Sequence, residues 1–227
     1  MFDIVFLSFC EPNADENWQL LKSRFPYARR LHGVKGIHRA HQVAAKMLGL
    51  PNKIWFVDGD NVVSDDFDFT APIDLWDDAV YVYRSKNAVN DLVYGYGGIK
   101  LFPKSKTASM PTNSVDMTTS ISENFIPVDI IASTTNFNTD PYNAWRSGFR
   151  ECVKLSSRII DRQINHETEE RLNTWCTVGN DRPYGEYVIA GAKQGKEYGL
   201  SSKGDKEKIK LINDNSWLKK KFNEQYF

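Results

Sequence analysis

Apolar and polar residues alternate in blocks along the first part of the chain, and these blocks predict strands and helices in turn. Residues 2–9 (FDIVFLSF) form an almost continuous apolar run, which is typical of a strand buried on both faces. Further strands are predicted at 28–34 and 53–63, whereas residues 11–26 and 36–48 carry apolar side chains at helical spacing. The resulting β-α-β-α-β order predicts an α/β fold, with a mostly parallel sheet flanked by helices.

The pattern changes beyond residue 65, where the predicted elements become shorter and more polar. Short strands are expected at 80–83 and 98–102, and the Ser/Thr-rich segment 104–124 has the composition of a long loop or an active-site flap. Three helices are expected further on, at 141–161, 186–195 and 203–227. Because no repeat or linker separates these elements, the chain is expected to be a single domain.

Composition and charge exclude several classes of protein. The chain has 227 residues, of which 41% are hydrophobic and 26% charged, so it can bury a core and is neither disordered nor a coiled coil. Lys and Arg number 29, as do Asp and Glu, so the global charge does not indicate a nucleic-acid binder. The sequence shows neither a membrane-spanning run nor a signal peptide, and no membrane partner is expected.

Cysteine usage indicates the compartment. Cys10, Cys152 and Cys176 are an odd number and lack CxxC or CxxH spacing. This pattern favours free thiols in a reducing compartment and argues against a zinc site. We therefore expect a cytoplasmic protein, in the host cytoplasm if a phage encodes it.

The most informative residues are Asp58 and Asp60, which follow the apolar run IWFV at the end of a predicted buried strand. Ligands of open α/β sheets bind outside the carboxyl ends of the strands. Two carboxylates there suit a hard cation such as Mg²⁺ or Mn²⁺. Substrate phosphates often complete the coordination shell of such a cation. Gly59 between them would leave room for a ligand, although the same sequence is also a good turn former.

The run GIHRAHQVAAK from Gly36, followed after a short gap by IWFVDGD ending at Asp60, resembles the GT-A nucleotide-sugar glycosyltransferases. In that family a helix with small residues precedes a hydrophobic strand that ends in a D-x-D metal motif. The resemblance covers residues 1 to about 70 and implies a GT-A-like, Rossmann-like fold. Residues 1–103 would form the nucleotide-sugar-binding half and residues 104–227 the acceptor-side half, with the C-terminal helices.

Motifs along the whole chain are similar to those of small tailed-phage glycosyltransferases that modify hydroxymethylcytosine in DNA, the arabinosyltransferase type among them. The motifs are HGVKGIH, VDGD, DLVYGYGG, DMTTSIS, FNTDPYNAW and DRPYGEY. This resemblance implies transfer of a hexose or pentose, with a UDP-sugar as the expected donor and DNA as a potential acceptor.

The GT-A resemblance also implies roles for individual residues. Asp60 would hold Mn²⁺ or Mg²⁺ on the diphosphate, and Asp58 would contact either the metal or the ribose. The remaining nucleotide-sugar contacts would come from Ser8, Phe9, Glu11, Lys35, His38, His41 and Gly59. The chain departs from the family at His41, where an Arg-Asn pair is frequent, so a structural role for His38 or His41 stays open.

Inverting glycosyl transfer also needs a base that deprotonates the acceptor hydroxyl. Asp140, Asp91 and Asp181 are the candidates, and Asp140 is equally suited to cap the helix that follows it. Arg182 beside Asp181 is a candidate phosphate ligand. A retaining reaction would need no such base, and the sequence does not decide between the two outcomes.

Basic residues in the second half suggest a phosphate-tracking surface, although such charges are usually solvated. They are Lys100, Lys104, Lys106, Arg146 and Arg150. The basic C-terminal helix, with Lys219 to Lys221, needs no partner.

Two other functions fit the same residues. Asp58 and Asp60 also match the D-x-D-x-V/T pattern of haloacid-dehalogenase-like phosphatases, in which the first Asp is the nucleophile. Those enzymes usually carry the motif on the first strand, whereas two βα units precede it here. The other alternative is a non-catalytic binding module on the same fold.

Overall fold

The computed structural model of the protein describes residues 3–47, 52–70, 77–95, 98–112, 114, 117–160 and 163–226. The strands are β1 (Asp3–Ser8), β2 (Arg29–His32), β3 (Lys53–Asp58), β4 (Asn61–Val63), β5 (Val80–Asn87), β6 (Val93–Tyr94), β7 (Ile99–Pro103) and β8 (Phe125–Thr135). The helices are α1 (Ala14–Arg24), α2 (Ile37–Met47), α3 (Lys104–Ser109), α4 (Pro141–Ser157), α5 (Asn165–Thr177), α6 (Gly185–Ser201), α7 (Lys206–Lys210) and α8 (Asn215–Tyr226).

The first five predicted elements are confirmed, with one change. The strand expected over 53–63 is divided into β3 and β4 by a turn at Gly59 and Asp60. The expected loop at 104–124 is wrong in part, because α3 occupies its first six residues. Strand β8 and helix α5 were not predicted. Phe2, Leu48, Asp161 and Phe227, at the ends of predicted elements, lie outside the described residues.

The strands of the described residues form one mixed sheet in the order β2-β1-β3-β7-β5-β8-β4, with β6 beside β5. Strand β1 pairs in parallel with β2 and β3, and β5 pairs in parallel with β8. Strand β7 runs antiparallel between β3 and β5. Most of the paired residues lie in parallel registers, so the predicted α/β class with a mostly parallel sheet is confirmed.

Helices α1 and α2 cover opposite faces of this sheet, because side chains alternate along a strand. On one face, Ile4 and Phe6 of β1 belong to the same apolar cluster as Leu21 of α1. On the other face, Val5 and Leu7 join the cluster that contains Ala44 and Ala45 of α2. Burial on both faces explains the continuous apolar run in this part of the sequence.

The chain forms two compact units. The first unit contains the sheet with α1, α2 and α3, within residues 1–87, 93–113 and 117–136. The second unit contains α4 to α8, within residues 88–92, 114–116 and 137–227. The assignment of donor and acceptor halves to residues 1–103 and 104–227 stays a prediction.

The second unit is built around α4. Trp145 and Phe149 of α4 are fully buried in an apolar cluster with Leu218 and Phe222 of α8. Among the described residues, no helix combines the length and the apolar character needed to cross a membrane.

Candidate active site at the ends of β1 and β3

The candidate site lies where the parallel strands β1 and β3 end side by side, with Leu7 opposite Asp58. The chain goes from β1 to β2 on one side of β1 and returns to β3 on the other side. Such a reversal of strand order opens a crevice at the carboxyl ends of the two central strands, where α/β proteins bind ligands. The structure thus brings together the predicted residues of the β1 end and the Asp58–Asp60 turn.

Gly59 packs tightly against the end of β1. A Cβ atom at this position would lie 2.9 Å from Glu11 Oε2, 3.0 Å from Ser8 Cβ and 3.1 Å from the Leu7 carbonyl oxygen. The buried Asn17 side chain donates a hydrogen bond of 2.9 Å to the Gly59 carbonyl. The protein's own packing therefore favours glycine here, a different reason from the predicted clearance for a ligand.

The carboxylate of Asp58 forms an ion pair with a buried lysine. Lys100 Nζ donates to both Asp58 oxygens, at 2.7 and 2.9 Å. Burial raises the pKa of the Asp58 carboxyl, the Lys100 ammonium opposes this rise, and the charge of Glu11 adds to it. The assignment of Lys100 to a phosphate-tracking surface is wrong, because its side chain is only 2% exposed. A charged residue within the otherwise apolar strand IKLFP was the sequence signal that a counter-charge must be near.

Asp60 is held by its neighbour Asn61, whose Nδ2 donates to Asp60 Oδ1 at 2.8 Å. The buried Asn61 Oδ1 accepts from the hydroxyls of Ser133 and Thr135, at 2.8 and 2.9 Å. Ser85 completes this buried network by donating to the Ser133 carbonyl at 3.0 Å. These acceptor contacts set the orientation of the Asn61 amide, so that its NH₂ group faces Asp60. Sequence reasoning did not identify Asn61.

The remaining predicted donor residues surround the end of β1. Glu11 Oε2 accepts from the Phe9 N–H at 2.7 Å, and the Phe9 side chain is exposed. Ser8 Oγ accepts from Arg30 Nε at 3.0 Å. The exposed Lys35 lies just before α2, whose first turn contains no acidic residue, and the half-buried His38 lies within that turn. A helix N-terminus of this kind favours an anion.

His41 lies in the core rather than at the surface. It is 1% exposed, and its ring centroid is 4.6 Å from that of Phe56 and 5.7 Å from that of Phe102. Nδ1 bonds the Ile37 carbonyl at 2.8 Å, whereas Nε2 has no hydrogen-bond partner among the described residues. A structural role, which the sequence left open for His41, therefore fits its position. The predicted contact of His41 with the nucleotide does not fit, because the side chain is buried.

Because His41 is buried, it should make the folded protein less stable at acidic pH. Desolvation holds the pKa of His41 well below 6.5, and the nearby charges of Lys100 and His38 lower it further, against a hydrogen bond to Ile37 that raises it. Below about pH 6.5 the unfolded chain binds a proton at this residue that the folded chain does not. Stability should therefore fall by about 1.4 kcal/mol per pH unit as the pH drops from there toward the folded pKa.

Urea denaturation between pH 7.5 and 5 tests this expectation with the His41→Phe variant, which keeps a ring but cannot titrate. The wild type should lose more stability than the variant over the acidic half of this range. Equal slopes for the two proteins would contradict the expectation.

The three candidate bases all belong to the second unit. Asp140 caps α4: Oδ1 accepts from the Asn143 backbone N–H at 2.8 Å, and Oδ2 accepts from the Asn143 amide at 2.6 Å. Asp91 forms an exposed ion pair with Arg182 at 3.3 Å. Asp181 is exposed. The capping role of Asp140 is confirmed, and the catalytic roles of all three, with the phosphate contact of Arg182, stay predictions.

Two substitutions test the capping role of Asp140. Asp140→Ala should lower the free energy of unfolding by about 1 kcal/mol, whereas Asp140→Asn should retain it because asparagine caps equally well. Urea denaturation measures both. An equal loss in the two variants would show that the carboxylate charge, and not the cap, is what the fold requires.

Other basic residues of the predicted surface also have partners within the protein. Lys106 pairs with Asp78. Arg150 donates to Asn213 Oδ1 at 3.1 Å, and Arg146 donates to Asn215 Oδ1 at 3.4 Å. These contacts support structural roles for Arg146 and Arg150 on α4 and for Lys106 on α3.

The donor set of the site fits a divalent cation through Asp60. The described residues contain no group of three or more His, Cys, Asp or Glu side chains placed to hold a metal ion. The carboxylate of Asp58 is engaged by Lys100. Mg²⁺ often binds through one or two carboxylates together with substrate phosphates, so Asp60 meets the minimum that such a site needs.

Comparisons with known proteins give little further guidance. No family model and no curated protein matches the chain. One similar solved structure is described as a glycosyltransferase involved in the glycosylation of the major capsid of PBCV-1. It is 16% identical, with 58% of this chain and 92% of that chain covered at a TM-score of 0.37. A TM-score of that size does not establish a shared fold, so the fold class rests on the sheet topology described above.

Proposed function

We propose that the protein is a metal-dependent glycosyltransferase that moves a sugar from a nucleoside diphosphate to a hydroxyl acceptor. The observation that carries this proposal is the position of Asp58 and Asp60. They lie at the carboxyl end of β3, beside the end of β1, where the strand order reverses. This is the place where α/β sheets bind nucleotides.

The surrounding residues suit a nucleoside diphosphate. Asp60, oriented by Asn61, would hold the cation. When bound, Mn²⁺ or Mg²⁺ would neutralise charge on the diphosphate leaving group. Lys35 and the start of α2 offer positive charge to the phosphates, and the exposed Phe9 ring offers an apolar surface to the base. Together these groups provide what a UDP-sugar requires.

The acceptor side of the proposal rests on the sequence resemblance alone. We extend it to 5-hydroxymethylcytosine in DNA as the acceptor, to a pentose or hexose as the transferred sugar, and to action in the cytoplasm. Asp140 is the weakest of the candidate bases, because both of its oxygens accept hydrogen bonds from Asn143.

Thermal denaturation with a set of nucleotide sugars tests the donor. UDP-sugars with Mn²⁺ should raise the melting temperature, and a ligand at 100 times its Kd stabilises by about 2.7 kcal/mol. The same sugars with EDTA in place of Mn²⁺ are the control. Absence of stabilisation by every nucleotide sugar would contradict the proposal, and trapping of an aspartyl phosphate at Asp58 would establish the phosphatase instead.

Mass spectrometry tests the acceptor separately. DNA containing hydroxymethylcytosine, incubated with the stabilising donor and Mn²⁺, should gain the mass of one sugar residue per modified base. Unmodified DNA is the control. No gain on either DNA would remove the acceptor assignment and leave the donor assignment in place.

A further inference from the structure

Hydrogen bonds join the end of β1 to the end of β2, on the side of β1 that faces away from β3. Ser8 and His32 are the last residues of these two strands and lie opposite each other in the parallel register. Ser8 Oγ lies 2.9 Å from His32 Nδ1 and accepts from Arg30 Nε at 3.0 Å. Ser8 is buried, whereas His32 is exposed. The imidazole is therefore held to the strand ends through one of its two nitrogens.

The Arg30 guanidinium is itself fixed in place. Its Nη1 pairs with Asp15 Oδ1 of α1 at 2.7 Å, and its side chain is only 19% exposed. The guanidinium carbon lies 5.8 Å from the centroid of the Phe6 ring. Its Nη2 lies 3.4 Å from His32 Nδ1. Arg30 thus presents N–H groups to both Ser8 and His32.

These contacts decide which nitrogen of His32 carries the proton. A guanidinium has only donors, so Ser8 Oγ accepts from Arg30 and has its own proton available for His32 Nδ1. Because Nδ1 faces a hydroxyl and a guanidinium N–H, it acts as the acceptor. An imidazole whose Nδ1 accepts carries its proton on Nε2. His32 therefore presents an N–H donor, and not an acceptor, at Nε2.

This donor lies at the same edge of the sheet as the acidic turn after β3. Strand β1 separates β2 from β3, so the ends of β2 and β3 are about 10 Å apart. A cation at Asp60 would place the diphosphate of a nucleotide at the β3 end. The exposed Phe9 follows β1 directly, between the two ends, and offers an apolar surface to a base ring. A nucleotide that extends from Asp60 across Phe9 brings the edge of its base to His32.

We propose that His32 is a specificity-determining residue that selects a pyrimidine with a carbonyl oxygen at C4. Thymine, like uracil, has an acceptor at this position, whereas cytosine has an amino group. His32 Nε2 would donate to the carbonyl oxygen, but it would face the N–H groups of cytosine and leave both donors unpaired. Ser8 and Arg30 are the positioning residues that fix the donor. This inference rests on the proposed function.

Isothermal titration calorimetry with UDP and with CDP, each with Mn²⁺, tests the role of His32. The wild type should bind UDP at least about tenfold more tightly than CDP. His32→Phe keeps a ring but no donor, so it should lose this preference, with CDP binding changed by no more than about twofold. A His32→Phe protein that keeps the wild-type ratio of the two affinities would overturn the inference.

A second variant guards against a loss that reflects the fold alone. His32→Gln carries an amide that can either donate or accept, so it should bind UDP and CDP within about threefold of each other and more tightly than His32→Phe does. Weak binding of both nucleotides by His32→Gln would contradict a hydrogen-bonding role.

Ser8→Ala tests the positioning role, and His166→Phe is the matched control. Ser8→Ala removes the hydroxyl that bonds Nδ1 but keeps His32, and it should lower the ratio of UDP to CDP affinity at least about threefold. An unchanged ratio would remove the positioning role. His166 is an exposed histidine of α5 in the second unit, and its replacement should leave both affinities unchanged.

The outcomes separate this inference from the proposed function. If the wild type binds neither nucleotide, the donor assignment and the role of His32 both fail. If it binds UDP and CDP equally well, the nucleotide site stands and the role of His32 fails. If UDP is preferred through His32 but no nucleotide sugar supports transfer to any hydroxyl acceptor, the role of His32 stands and glycosyl transfer fails.

Discussion

Under the proposed function, Asp60→Asn should lower kcat/KM for sugar transfer at least about 100-fold, because a bound cation would stabilise the leaving diphosphate by several kcal/mol and would lose its carboxylate ligand. The fold should persist, since an asparagine at this position still offers an oxygen to the Asn61 amide, which donates at 2.8 Å in the native protein. Steady-state transfer assays with a fixed Mn²⁺ concentration measure the effect.

Asp65→Asn is the matched control for this substitution. Asp65 lies in the turn after β4, its side chain is fully exposed, and its carboxylate lies 3.9 Å from Arg24 Nη1. The Asp65→Asn variant should retain the wild-type kcat/KM for sugar transfer. An Asp60→Asn enzyme with wild-type kcat/KM would remove Asp60 from the chemistry, whatever its effect on stability.

The second large effect concerns the packing of α4 against α6. A Cβ atom on Gly195 would lie 2.2 Å from the carbonyl oxygen of Phe149, and one on Gly191 would lie 2.1 Å from that of Trp145. Gly195→Ala gains about 1 kcal/mol in helix propensity. The clash is with backbone, so the helices must separate, and overpacking of this kind costs about 3 kcal/mol. The net result should be a loss of about 2 kcal/mol in stability.

Urea denaturation followed by circular dichroism measures this loss. Glu197→Ala, an exposed position on the same helix, should change the stability by no more than about 0.5 kcal/mol. If Gly195→Ala were more stable than the wild type, helix propensity would outweigh the clash and the close helix contact would be wrong.

Some features could be predicted because their signals are local. The apolar run of β1 and the helical spacing of α2 follow from burial on each side of one element. Asp140 before Pro141 predicts the start of α4, and the Asp140 side chain caps that helix. Elements with weak local signals were missed. Strand β8 contains Pro127 and several exposed residues, and α5 has few apolar positions.

In the candidate site, too, some features could be predicted from the sequence and others could not. The sequence placed Asp58 and Asp60 at the end of a buried strand, and the register of β1 with β3 brought Ser8 and Glu11 to them. The order of two βα units before β3 was sufficient for this, because parallel strands end at one edge of the sheet. The reason for Gly59 was not visible, since it depends on side chains about fifty positions away.

The sequence by itself determined the order of strands and helices in the first part of the chain, the α/β class, and the position of an acidic turn at the carboxyl end of a buried strand. Only the tertiary structure decided that Lys100 pairs with Asp58, 42 positions away along the chain. It also decided that His41 is buried between Phe56 and Phe102. Periodicity and capping are properties of neighbouring residues, whereas a counter-charge depends on which strands become neighbours, and here that followed from the insertion of antiparallel β7 beside β3.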